Sequence, residues 1–152
     1  MKREFIENKK VLMRVDYNVP IENSAIQDIY RISKTIPMIK FCLDNNASIV
    51  IMSHLGRPKG VYNKKYSLSI IKDKLEELLG TKVKFSDDCI SDKAIKRSQK
   101  LNPGEVHLLE NLRFYNQELE NDKSFSLQLS RHGDIYINEA FGTAHRSHAS
   151  NV

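Results

Sequence analysis

SIVIMSHLGR, residues 48–57, is a short β-branched run that breaks off into serine, histidine, glycine and arginine. A continuous apolar run with no polar face marks a strand covered on both sides, as in a parallel sheet. Three further stretches repeat the pattern: VLMRVDYNV (11–19), EVHLLENLR (105–113) and DIYINEAFGTAHRSH (134–148). Each is an apolar run that feeds a polar loop. In an open parallel sheet, ligands bind just beyond the carboxyl ends of the strands. Here those ends supply Asp16, Asn18, His54, Arg57, Arg113, His145, Arg146 and His148. Such a group of cations with hydrogen-bonding neighbours suits a small, multiply charged anion.

Helical patterns fill the spaces between the runs. Residues 28–43 place Ile29, Ile32, Ile36, Ile39 and Leu43 at spacings of three and four, with Asp28 as the N-cap. Pro37 should kink or restart that helix. Residues 67–79 set Leu68, Ile71, Leu75, Leu78 and Leu79 on one face, and Gly80 stops the pattern. Further helices are expected at 91–101 and 122–131, the latter with Phe125 and Leu129 inward and Gly133 at its end. Strands are expected at 11–15, 49–52, 82–85, 106–109 and 135–137. Strands separated by helix-length segments imply right-handed crossovers and a parallel sheet.

The 152 residues suffice for one domain with a substantial core. The formal charge of +5 is spread along the chain and by itself means no more than a solvated basic surface. MKREFIENKK (1–10) has no apolar signal region, and no stretch is long enough to span a bilayer, so a cytoplasmic location and no membrane partner are expected. Cys42 and Cys89 read as reduced thiols. The chain stops at Asn151 and Val152, close to its densest polar motif, which reads as a cut edge.

Each motif has a plainer reading beside it. GRPKG (56–60) is neither a Walker A loop nor GxGxxG, and a basic glycine loop is ordinarily a turn; His54 and Arg57 tip it toward anion capture. Asp16 and Asn18 alternate past a strand end, either as hydrogen-bonding partners for a ligand or as an Asx turn leading to Pro20. Arg31 lies off the apolar face in the first helical turn, where it opposes the helix dipole unless an anion sits beside it; otherwise it is an exposed arginine. Glu110 and Asn111 either orient Arg113 or cap the strand. AHRSHAS (144–150) sets His145 and His148 around Arg146, but no carboxylate or cysteine completes a metal set, and no metal is expected. His107 and His132 read as an ordinary strand residue and helix-end residue. No nucleophile pattern stands out.

Taken together, RVDYNVP (14–20), the RI of DIYRI (28–32), MSHLGRPKG (52–60), LLENLRF (108–114) and NEAFGTAHRSHAS (138–150) occur in the order found in phosphoglycerate kinases. The chain resembles the N-terminal domain of that family from Val11 to Ser150. The resemblance implies a three-layer α/β/α, Rossmann-like domain with a mainly parallel sheet over residues 1–152. It implies a monomeric glycolytic enzyme that moves a phosphoryl group between 1,3-bisphosphoglycerate and ADP, giving 3-phosphoglycerate and ATP. It further implies that Mg-ADP or Mg-ATP binds a C-terminal domain absent from this chain, and that these residues are inactive alone. Asp16 and Asn18, with the backbone around Tyr17, would hold the glycerate. His54, Arg57, Arg113 and Arg146, with the Leu55–Gly56 turn, would surround the phosphate that does not react. Arg31 would be the catalytic residue beside the transferred group, supported by Arg14, His145 and His148. The sequence departs from the family pattern at Tyr17 (usually phenylalanine), Met38 (commonly threonine) and Glu139 (usually aspartate).

The competing reading is a basic α/β module for RNA or another polyanion. It would need aromatic side chains interleaved with the cations for stacking. Only Tyr17, Phe114, Tyr115 and Phe141 are near, and they form no series, so no nucleic-acid partner is expected.

Overall fold

The computed structural model of the chain describes residues 3–115 and 123–139. His145, Arg146 and His148 lie outside the described residues. Five strands form one sheet: β1 (Lys10–Arg14), β4 (Ser48–Met52), β5 (Val83–Ser86), β6 (Val106–Leu109) and β7 (Ile135–Asn138). Their order is β5-β6-β4-β1-β7, and every pairing is parallel. The expected strands are all present, within a residue or so of their read boundaries.

Alternation along each strand divides the core. Val11, Met13, Ile49, Ile51, Val106 and Leu108 face one side, where they meet Ile39 and Cys42 of α2 (Ile36–Asp44) and Ile71 and Leu75 of α3 (Ser69–Leu79). Leu12, Val50, Met52 and Leu109 face the other, with Phe125 and Leu129 of α5 (Lys123–Ser130). Helix α4 (Asp92–Gln99) buries Ala94, Ile95 and Ser98, and Ser98 reaches β6 on this second side. The result is the expected α/β/α sandwich. Helix α4 is started by Ser91, whose hydroxyl accepts from the Ala94 amide, and α3 ends at Gly80 with φ +70°.

The long helix expected over 28–43 is two. Helix α1 (Tyr30–Ser33) is a single turn, and α2 begins at Ile36. A proline ring clashes with the carbonyl four residues back. For Pro37 that residue is Ser33, the last of α1, so the break falls where the proline requires it. Asp28 does supply an acceptor for the Tyr30 amide, at 2.9 Å. Between β1 and α1, β2 (Ile21–Glu22) and β3 (Ala25–Ile26) form a small antiparallel hairpin, with Asn23 and Ser24 both at positive φ.

Beside β1, the turn into β7 comes unusually close. A Cβ on Gly133 would stand 2.9 Å from the Leu12 nitrogen, and the Asp134 amide donates to the Lys10 carbonyl at 2.7 Å. Only glycine lets the two backbones approach this far.

His107 and His132 are not the unremarkable residues that their positions suggest. Both are fully buried, on the second side of the sheet. His132 Nε2 donates to the Cys89 carbonyl at 2.7 Å, which leaves Nδ1 to accept from the Ser98 hydroxyl at 2.6 Å. Ser98 then accepts from His107 Nδ1 at 2.9 Å, and His107 Nε2 accepts from Ser86 at 2.7 Å. In this directional chain both rings are neutral and every ring nitrogen is used. Burial drives the His107 pKa down to about 3, aided by His132, Arg97 and Lys84. Burial also lowers that of His132, against the hydrogen bond to Cys89 and the charge of Asp88.

Unfolding frees His107 to take up a proton between the ordinary value of 6.5 and about 3, and His132 to take one up below its ordinary value. The unfolded state therefore binds more protons in that window, and stability falls as pH falls through it. Each ring adds at most about 1.4 kcal/mol per pH unit. The urea midpoint should drop steadily from pH 7 to 5, before most carboxylates titrate, and His107→Gln should make the slope shallower. A flat midpoint over that range would contradict the protonation scheme.

Candidate functional site

Three strand ends meet around one small side chain. Ser53, directly after β4, accepts the Tyr17 amide on its hydroxyl at 2.9 Å, and its carbonyl accepts the Leu112 amide at 3.0 Å. It thereby ties the loops after β1 and β6 to the loop after β4. Helix α3 leaves β4 toward one face, while α5 follows β6 on the other. Adjacent strands whose connections leave in opposite directions open a crevice at their carboxyl ends. Ser53 sits there, a buried polar residue at a strand terminus that the sequence reading passed over.

The loops are stitched further. Asn18 Oδ1 accepts from the Gly56 amide at 2.9 Å, and the Arg113 carbonyl accepts from the Gly60 amide at 3.1 Å. Gly56 has φ +63°, and a Cβ there would stand 2.4 Å from the Tyr66 ring, so only glycine fits the bend. Asn111 accepts from the Leu55 and Arg113 amides and donates to the Leu55 and Tyr66 carbonyls. It fixes the backbone that carries Arg113. Glu110 does not touch Arg113. Its carboxylate accepts from Ser67, Leu68 and Asn111, and so caps the start of α3 from the neighbouring strand.

Most of the expected residues come together here. Arg57 is exposed on the loop, and Arg113 is largely buried at the crevice wall, with Nη1 3.5 Å from the Gly56 carbonyl. His54 is buried, and Nδ1 accepts from Arg14 Nη2 at 3.1 Å, so in the neutral ring the proton resides on Nε2. Arg14, expected in a supporting basic patch, is fully buried on the second side of the sheet and also donates to the Val15 carbonyl at 2.7 Å. Alternation along β1 turns it inward with Leu12, where it meets His54.

Asp16 and Asn18 flank Tyr17, whose side chain turns into the core. Asp16 Oδ1 accepts from the Asn18 amide at 3.1 Å, which is the Asx turn. The same carboxylate takes Arg31 Nη1 at 3.0 and 3.1 Å, and Nη1 also donates to the Asn18 carbonyl. Arg31 is therefore not a loose surface arginine. A carboxylate offsets its charge at the one-turn helix, while about half of the side chain stays exposed. Among the described residues, its Nε and Nη2 take no partner.

Strand order and crossovers define a doubly wound α/β domain with its topological switch point at the Ser53 junction. The family model for phosphoglycerate kinase matches residues 1–152, and the chain belongs to that family. It is 50% identical over 149 residues to the phosphoglycerate kinase of Finegoldia magna, covering 97% of this chain and 38% of that protein. The phosphoglycerate kinase structure from Coxiella burnetii aligns with TM-score 0.84 and 34% identity, over 95% of this chain and 36% of that one. The Pyrococcus horikoshii enzyme aligns with TM-score 0.85 and 35% identity, over 95% and 37%. The chain thus spans little more than a third of the relatives that it matches.

Proposed function

We propose that residues 1–152 form a single domain, the phosphoglycerate-binding half of a phosphoglycerate kinase. With a nucleotide-binding domain, it would move a phosphoryl group reversibly between 1,3-bisphosphoglycerate and ADP, giving 3-phosphoglycerate and ATP. The observation that carries this is the junction at Ser53, which ties together the loops that bear Asp16 and Asn18, His54 and Arg57, and Arg113, with Arg31 held to the first of them. Cations on one wall suit a phosphate. Arg31, with about half of its side chain exposed, suits the group that gains or sheds charge. Phosphoryl transfer asks chiefly for such positioning and charge stabilisation.

Among the described residues, no three His, Cys, Asp or Glu side chains are placed to hold a metal ion. We propose that the magnesium nucleotide binds on a further domain, as the resemblance implies. Closure of the two domains would expel water and join the halves of the site. A cytoplasmic setting accords with this role; no helix among the described residues is long and apolar enough to cross a membrane.

The test is a chemical-shift titration of the 152-residue chain with 3-phosphoglycerate, beside one with single-stranded RNA. Amides of residues 54–57 and 113 should shift with millimolar 3-phosphoglycerate, and affinity should weaken several-fold as salt rises, because the crevice is open to screening. Unmoved amides there, or tighter and broader binding of RNA, would overturn the proposal.

A further inference from the structure

The hydroxyl of Tyr17 is fully buried. It lies 2.7 Å from Thr35 Oγ1, and Thr35 Oγ1 lies 2.7 Å from the Ile32 carbonyl. A threonine hydroxyl has one proton. The Ile32 carbonyl can only accept, so Thr35 donates to it and Tyr17 donates to Thr35. The chain therefore runs from the loop after β1 through Thr35 to the backbone of α1.

Thr35 is free for this duty because of its neighbours. It is the N-cap of α2, where a hydroxyl ordinarily accepts from the amide two or three residues on. Two residues on is Pro37, which has no amide proton, and Thr35 makes no side-chain cap. Helix α1 has one turn, too short to hold itself. Its anchors are the buried Ile32 side chain, the Asp28 contact and this chain. Arg31 stands next to Ile32, and the residues that grip it, Asp16 and Asn18, stand on either side of Tyr17. An ion pair with a half-exposed arginine is too weak to fix α1 by itself.

We propose that Tyr17, through Thr35, is a positioning residue that fixes α1 so that Arg31 meets Asp16 and the crevice in one geometry. The inference rests on the proposed site for its functional consequence, but its structural part can be read independently. The experiment compares the 152-residue chain with Tyr17→Phe, Thr35→Ala, Thr35→Ser and the Tyr17→Phe/Thr35→Ala double variant. The amides of Ser33, Lys34 and Thr35 are hydrogen-bonded within this turn, to Ile29, Tyr30 and Ile32, and report on it directly. Tyr17→Phe should speed hydrogen exchange at these amides about tenfold relative to Ile49–Ile51. Thr35→Ala should speed it likewise, Thr35→Ser should keep the slow exchange of the parent chain, and the double variant should be no worse than Thr35→Ala. Affinity for 3-phosphoglycerate should fall several-fold in Tyr17→Phe and in Thr35→Ala, and stay near that of the parent chain in Thr35→Ser. Equal acceleration at the turn and at the core would make the hydroxyl a general stabiliser and overturn the proposal, as would additive effects in the double variant. If the parent chain binds no 3-phosphoglycerate, the site reading falls, while the exchange data still decide whether Tyr17 holds α1.

Discussion

Glu110→Ala is expected to destabilise the domain by about 3–5 kcal/mol, because a buried carboxylate with three donors is removed. Ser67, Leu68 and Asn111 all donate to it, at 2.6, 2.7 and 2.9 Å, and it is 2% exposed. Hydrogen bonds to a charged acceptor are each worth roughly 1.5–3 kcal/mol, and they are not fully additive. Alanine leaves the Leu68 amide at the entrance to α3 without its acceptor in the interior. The N-cap residue Leu68 has no side-chain acceptor, and the Ser67 hydroxyl takes the Ser69 amide at 3.2 Å, not that of Leu68. For a domain of this size the melting temperature should fall by roughly 10 °C. Glu110→Gln keeps a carbonyl oxygen and should lose about half as much. Urea unfolding of the three proteins measures this directly; a loss below about 1 kcal/mol in the alanine variant would show that α3 is started by something else.

Arg31→Ala should act on turnover rather than on folding. The Asp16 ion pair is half exposed on the arginine side, so its loss costs under about 1 kcal/mol of stability. In a full-length enzyme carrying these residues, kcat should fall by about 10²-fold, as for the loss of one preorganised partner of developing charge. Arg57→Ala and Arg113→Ala remove contacts proposed for a phosphate that does not react. Contacts present equally before and during transfer affect mainly KM. Steady-state kinetics with varied 3-phosphoglycerate would separate the two classes. Near-normal kcat in Arg31→Ala, with Arg57→Ala inactive at saturating substrate, would reverse the roles proposed here.

The sheet was legible because its strands are buried on both sides. Ile49–Met52 and Val106–Leu109 have no polar face to confuse the reading, and Gly80 marks a helix end by backbone geometry alone. The hairpin β2–β3 escaped notice because two-residue strands carry no periodicity. The crevice was legible as residue types at strand ends, but not as a bonding pattern. Nothing in RVDYNVP (14–20) shows that Arg14 turns under the sheet while Asp16 turns toward Arg31; that depends on which face each alternate residue meets. Ser53, Ser98 and Thr35 were invisible for a related reason. A small hydroxyl has no sequence signature, and its role comes from neighbours brought in by other strands and helices. The two buried histidines were missed because their partners lie on separate elements, α4, β5 and the loop holding Cys89.

The strand order has a consequence for how the chain reaches this structure. β1 occupies an interior place between β4 and β7, and Gly133 seats the latter turn against the backbone at Lys10 and Leu12. A polypeptide made from its amino end presents β1 early and β7 late, with most of the described domain between them. Until β7 arrives, one whole edge of β1 is an open row of amides and carbonyls beside apolar side chains. Pairing across so much intervening chain is slow, and an open edge of this kind is where a nascent sheet recruits the wrong strand. The same arrangement that pairs the first strand on both edges makes its completion the latest step on the way to the crevice, since Glu139, just past β7, donates its amide to the Arg14 carbonyl at 2.7 Å.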